Sequence, residues 1–393
     1  MSRNATKDLT TGSPMKLILG FGIPLLFGML FQQFYNMMDT IIVGKFLGVS
    51  ALASVGATGS INFMIIGFCM GVCNGFAIPV AQRFGAKDEH GMRKFVANSV
   101  WLSIIFAVVM AVLVCVFCRQ ILELMNTPED IIDGSYSYIF VIFLGIPATY
   151  MYNLLSGIMR SLGDSKTPLY LLIFSSILNI ILDLLSIIVL KMGVAGAAWA
   201  TVIAQAISGF CCLGVIWKKF PILHVQREEW QPDKLCILNL CNMGIPMGLQ
   251  YSITAIGSVI IQAAVNSLGS VAVASVAAAV KINMFLCCPY DAMGSTMATY
   301  AGQNVGAGKF DRLKQGEKSC TLLGLVYGIA AFMFILLFGK YLALLFVDAS
   351  EAVIINQARL FLMCNSAFYF SLALVNIFRF TIQGMLFLQA CVR

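Results

Sequence analysis

Charge is scarce in this sequence. Only 11% of its 393 residues are charged, 25 Lys or Arg and 18 Asp or Glu, where a soluble globular domain carries about 25%. Histidine occurs twice, at His90 and His224. That is too little to complete a zinc site around the one Cys-x-x-Cys pair, Cys115 and Cys118. Of the thirteen cysteines, most lie in apolar runs, such as Cys69, Cys73, Cys211, Cys212, Cys287 and Cys288. Such thiols read as small packing residues and not as a disulfide framework. No Gly-Lys pair is followed by Ser or Thr, since Lys45 precedes Phe46, Lys309 precedes Phe310 and Lys340 precedes Tyr341. A phosphate-binding loop is thereby excluded, and with it ATP hydrolysis within the chain. Nucleophile elbows and His-Glu-x-x-His runs are also lacking. No enzyme and no cofactor is expected. Strand-type alternation is missing too, which excludes a β-barrel.

Apolar residues are abundant: they make up 60% of the chain, with a mean hydropathy of +0.89. They come in ten blocks, at about 16–43, 52–81, 95–117, 131–159, 168–190, 194–217, 236–265, 270–302, 319–340 and 353–385. A hydrocarbon core of about 30 Å takes about 20 helical residues to cross. The expectation is an all-α membrane protein of about ten spans, with lipid as its surroundings. The first block is too long for a signal peptide and lacks a small-residue cleavage pattern. If the N-terminus is inside, nineteen of the 25 Lys and Arg fall on inner segments and five on outer ones, with Lys281 alone within a span. The positive-inside bias places the N-terminus in the cytoplasm of a cell (inner or plasma) membrane. The net charge of +7 is that bias and not a nucleic-acid footprint. A monomer is expected.

The chain repeats itself at an offset of 221–222 residues. Gly22-Ile23-Pro24 returns as Gly244-Ile245-Pro246, LASVGA at 52–57 as VASVAA at 273–278, and AQRFGA at 81–86 as GQNVGA at 302–307. PEDII at 128–132 returns as SEAVI at 350–354. Six spans separate the copies, so both begin on the same side as parallel repeats, an arrangement typical of alternating-access transporters. The lobes are expected at 1–217 and 236–393, joined by the charged linker 218–235. Pro24 and Pro246 allow a bend early in the first and seventh spans. Gly67, Gly71 and Gly75 permit a close helix contact, and Gly85 and Gly306 read as helix ends.

These paired motifs, with the GDSKTP loop at 163–168 and PYDAMGSTMATY at 289–300, resemble the multidrug and toxic compound extrusion (MATE) family. The resemblance implies two parallel six-helix repeats and secondary active export of amphipathic, cationic small molecules in exchange for H+ or Na+. It runs to about Met385, where LFLQACVR replaces the expected loop. The second repeat therefore reads as incomplete and the chain as truncated. A lipid-linked precursor flippase of the wider superfamily is the alternative, though its cavity would carry more basic charge. A non-transporting membrane protein and a passive channel are the others.

Asp183 is the only charge between Leu169 and Leu190. A carboxylate at membrane depth costs roughly 2.5–3.5 kcal/mol on insertion scales. At 100° per residue, Ser176, Asn179, Asp183 and Ser186 form one stripe. Gln32, Tyr35, Asn36 and Asp39 form another on the first span. Counted from the outer ends, Asp39, Asp183 and Thr201 fall at one depth. Two carboxylates, an amide and a hydroxyl at one level suit a hard cation or a proton. The family resemblance implies that Asp39, Asn179, Asp183 and Thr201 bind the coupling proton or Na+. It also implies that Gln32, Tyr35 and Asn153, together with Asn36, lie near the substrate cavity. Thr254 stands where some family members carry an acid in the second repeat. Asp291 and Lys281 are about 15 Å apart along a helix and cannot pair; Asp291 is expected to cap a bend at Pro289.

Overall fold

The structure, a computed structural model, describes residues 6–125, 127–347 and 350–386, and no strand occurs among them. In the first repeat the helices are α1 (Pro14–Leu47), α2 (Val49–Ala57), α3 (Gly59–Gly85), α4 (Glu89–Val116), α5 (Cys118–Leu124), α6 (Glu129–Leu144), α7 (Ile146–Ser161), α8 (Lys166–Leu184) and α9 (Gly193–Lys219). The second repeat holds α10 (Lys234–Asn266), α11 (Ser270–Gly306), α12 (Phe310–Ala343), α13 (Ala352–Ala367) and α14 (Tyr369–Met385). Among the described residues eight helices are long and apolar enough to cross a membrane, and two bent pairs, each taken as one span, bring the number to ten. Those ten coincide with the ten apolar blocks. The pairs α6–α7 and α13–α14 are the fourth span of each repeat, bent by 46° and 47°. Pro147 at the start of α7 explains the first break. No Gly or Pro marks the second, at Phe368.

Small residues set where the repeats meet. A Cβ on Gly71 would lie 2.5 Å from the Met247 carbonyl oxygen, and one on Gly75 would lie 2.6 Å from the Gly244 Cα. So α3 and α10 cross backbone to backbone, as the four-residue glycine spacing allows.

The end of the bundle at which the chain begins carries most of the basic residues, and it is closed by a symmetric contact. Gly85 is the last residue of α3 and Gly306 the last of α11. Neither needs a left-handed backbone; that conformation falls two residues later, at Lys87 (φ 58°) and Gly308 (φ 69°). The glycines are required for another reason. A Cβ on Gly85 would sit 1.9 Å from the Gln303 carbonyl oxygen, and one on Gly306 would sit 1.8 Å from that of Gln82. The two glutamine side chains then cross over. Gln82 Nε2 donates to the Gly384 carbonyl (2.7 Å), and Gln303 Nε2 donates to the Ser161 carbonyl (2.8 Å).

The segment before α1 straps this closure. The Lys7 amide donates to the Leu162 carbonyl in the first repeat. Two residues on, the Leu9 amide donates to Gln303 Oε1 (2.9 Å), and the Leu9 carbonyl accepts from Asn304. Lys309 and Arg312 donate to the Thr10 and Gly12 carbonyls. Leu9 is buried among Phe21, Met297 and Tyr300.

The linker is ordered in two 3-10 turns, Pro221–Leu223 and Arg227–Trp230. Its anchor is Glu229, whose buried carboxylate accepts from Arg93 Nε, His90 Nδ1 and the Gln226 amide. Burial by itself would raise the Glu229 carboxyl, but these hydrogen bonds hold it below the usual glutamate range. All but Leu386 of the divergent run LFLQACVR lies outside the described residues, and so does any structural test of a truncated end.

Candidate functional site

Four helices converge on Asp183. It is fully buried on α8, and Asn179, one turn earlier, is 2% exposed. Immediately after α8 the helix widens into a π-turn at Leu185–Val189, a feature frequent at functional sites. From α1, the Asp39 carboxyl comes close enough to that of Asp183 for the two to interact electrostatically. From α9, the Thr201 hydroxyl accepts from Asn179 Nδ2 (3.2 Å) and lies 3.1 Å from the Tyr35 hydroxyl of α1. Tyr138 of α6 is buried within electrostatic reach of Asp39, Tyr35 and Asp183. Its place on a separate helix, without a polar stripe, gave the sequence analysis no signal.

The structure thus brings Asp39, Asn179, Asp183 and Thr201 together, at the shared depth their spacing implies. Tyr35 joins this cluster and does not line the central cavity; neither does the exposed Asn36. The ends of the α8 stripe are spent on backbone. Ser176 donates to the Leu172 carbonyl, and Ser186 to those of Leu182 and Gly196.

The bookkeeping of hydrogen bonds is what gives the cluster its chemistry. Asp39 Oδ1, both oxygens of Asp183 and Asn179 Oδ1 are buried without a hydrogen-bond partner. Buried acceptors are normally satisfied, and an unsatisfied one costs about 1–3 kcal/mol. Four unpartnered acceptors on three residues are of a kind that a cation or protons can satisfy. Oxygen-only donors of this kind fit Na+ or H+ and not a soft metal.

A separate cavity of about 200 Å³ lies between the repeats, lined by α1, α3, α7, α8, α10, α11 and α14. Gln32 and Asn153 line it as expected, along with Pro24, Tyr152 and Tyr251. It also holds Arg160 of α7, one of the nineteen basic residues counted above on the inner segments. Arg160 donates to Asn74 of α3 (3.3 Å). Arg379 is likewise turned inward. It donates to Asn376 Oδ1 (2.8 Å), whose amide nitrogen donates to Asp291 Oδ1 (3.4 Å). Asp291 is therefore tied to α14 and is not capping a bend. Lys281 is exposed on α11.

Ten helical spans in parallel repeats, a cavity between them and a buried acid pair beside it define a multi-span membrane transporter. A family model described as MatE matches residues 24–185 and 246–386, one stretch in each repeat, and the chain belongs to that family. It is similar to the probable multidrug resistance protein YoeA of Bacillus subtilis (strain 168), 30% identical over 345 residues, covering 85% of this chain and 74% of that protein. It is also similar to the FAD transporter of Shewanella oneidensis, 22% identical over 375 residues, covering 92% and 80%. The solved outward-facing structure of a multidrug resistance MATE family transporter of the MOP superfamily shares the fold at a TM-score of 0.89. That likeness covers 96% of this chain and 84% of that one at 24% identity.

Proposed function

We propose that this protein is a secondary active exporter that couples outward movement of an amphipathic small molecule to inward movement of H+ or Na+ at Asp39, Asn179, Asp183 and Thr201. The observation that carries this reading is the set of four unpartnered oxygens around Asp183. In the proposed orientation the N-terminus and the glutamine closure are cytoplasmic. With Arg160 and Arg379 turned inward, seventeen basic residues against five still favour it. The moving units are 1–217 and 236–393, with 218–235 between them. Entry of the ion would neutralise the acid pair and let α1 shift against α8, opening the glutamine closure as the outer side shuts.

The substrate binds in the cavity between the repeats, where Gln32 and Asn153 offer amide groups on an apolar wall. The cation expected from the family resemblance meets no Asp or Glu among the cavity-lining residues. The one charged side chain there is Arg160, and one relative of this chain is named for FAD, an anion. Dye efflux from inverted vesicles, with proton and sodium gradients imposed separately, tests the coupling. Uphill efflux should follow one of the two gradients. Efflux that only runs down the dye's own gradient would identify a passive channel instead.

A further inference from the structure

We infer that Arg160 is a binding residue for an oxyanion, a carboxylate or phosphate carried by an amphipathic substrate, at the floor of the central cavity. This rests on the exporter reading above and names the substrate chemistry of the same cavity.

The direction of the side chain is the first observation. Arg160 is the next-to-last residue of α7. A basic residue at that position normally snorkels its charge toward water at the membrane face. Here the guanidinium goes the other way. Its partner, Asn74, lies eleven residues before the end of α3 at Gly85, about 16 Å in from that end at 1.5 Å per residue. The side chain therefore climbs into the bundle between α3 and α7. The guanidinium lies beside Gly157, one turn back on its own helix, at ordinary contact distance: a Cβ there would be 3.8 Å from the Arg160 terminal nitrogen.

Satisfaction is the second observation. A guanidinium carries five N–H donors in a planar fork suited to a carboxylate or phosphate. Among the described residues Arg160 makes one side-chain hydrogen bond, to the neutral Asn74, and has no acidic partner. The other charges near the cavity do not compensate it. Asp291 is tied through Asn376 to Arg379, while Asp39 and Asp183 lie about two to three helical turns beyond Gln32 and Leu172, the last cavity-lining residues of α1 and α8. The remaining donors of Arg160 face a cavity whose lining is otherwise neutral, with Tyr152, Tyr251, Asn153 and Ser161 close by. A substrate oxyanion would supply the missing charge, and its apolar body would lie against Met29, Leu172 and Phe380.

The test is equilibrium binding to purified full-length protein in neutral lipid, with no gradient. The probes are rhodamine B, which has a free carboxylate, and its ethyl ester, in which an ethyl group caps that carboxylate and leaves the dye a cation. Wild type should bind the acid about ten- to hundredfold more tightly than the ester, the range of a charge-assisted hydrogen bond. Arg160→Gln should abolish that preference while ester binding is retained or strengthened, since the ester is a cation, and that binding also shows that the variant folds. Arg160→Lys should retain part of the preference, because it keeps the charge without the fork. Equal or weaker binding of the acid by wild type, or an unchanged preference in Arg160→Gln, would overturn the inference. The coupling reading fails separately, on gradient-driven transport, which this binding measurement does not use.

Discussion

At the residue scale the acid cluster divides into groups that carry charge and groups that shape the site. Asp39 and Asp183 carry the charge. Asn179 contributes an unpartnered Oδ1 and positions Thr201 through its amide nitrogen. Asn179→Ala should therefore raise the half-saturating Na+ concentration for transport about tenfold, the equivalent of one ligand worth about 1.4 kcal/mol. A change in the pH profile at constant sodium response would identify the proton as the coupling ion. No effect on either would remove Asn179 from the site. Glu229 gives an independent test outside the membrane. Its carboxyl is held below the ordinary range, so its stabilising contribution is present above the unfolded glutamate pKa and is lost as the pH falls through the lower folded value. Glu229→Gln should cost about 3 kcal/mol near neutral pH, the scale of a broken buried ion pair, and thermal unfolding should show that difference shrinking in acid. A constant difference across pH would contradict the assignment. The cluster was legible in the sequence because a helical stripe needs only spacing: Asp39, Asn179 and Asp183 follow from their stripes, and Thr201 from its depth on the next span. Arg160 was not legible, since position near a helix end does not say which way a long side chain turns.

At the scale of elements, the repeat was readable because identical residues recur at a fixed offset. What AQRFGA and GQNVGA do was not readable. Gly85 and Gly306 end their helices as expected, but the reason lies in each other's neighbourhood: the Gln303 and Gln82 carbonyls occupy the space where a Cβ would stand. The strap at Lys7–Gly12 left no sequence signal either, because it has no periodicity and its hydrogen bonds reach residues nearly 300 positions away. Gly85→Ala and Gly306→Ala should each hold the glutamine closure open. Spin labels on the exposed Glu89 and Asp311 should then report a longer mean distance than in otherwise wild-type protein. An unchanged distance distribution would mean that the contact relaxes around a methyl group and does not govern closure. The Asp291–Asn376–Arg379 chain belongs to this scale as well. It links α11 to α14 within the second repeat, so Asp291→Asn should lower protein yield while leaving the ion dependence of transport unchanged. A shifted pH or sodium profile in that variant would move the coupling site to the second repeat.

For the whole molecule, both repeats have a bent fourth span, and they are unlike in charge. Among the described residues only the first holds a carboxylate pair with buried, unpartnered oxygens; in the second, Thr254 donates to its own helix at Gln250. In the proposed mechanism an ion at Asp39 and Asp183 biases the glutamine closure below the cavity through α1 and α8. The measurement that tests this most directly uses proteoliposomes of wild type and of Asp39→Asn with Asp183→Asn. It compares accumulation of dye against its gradient with exchange of dye down its gradient. The double variant should keep downhill exchange, because cavity and closure are intact, and should lose uphill accumulation entirely. Uphill accumulation at the wild-type level in the double variant would show that the ion is coupled elsewhere.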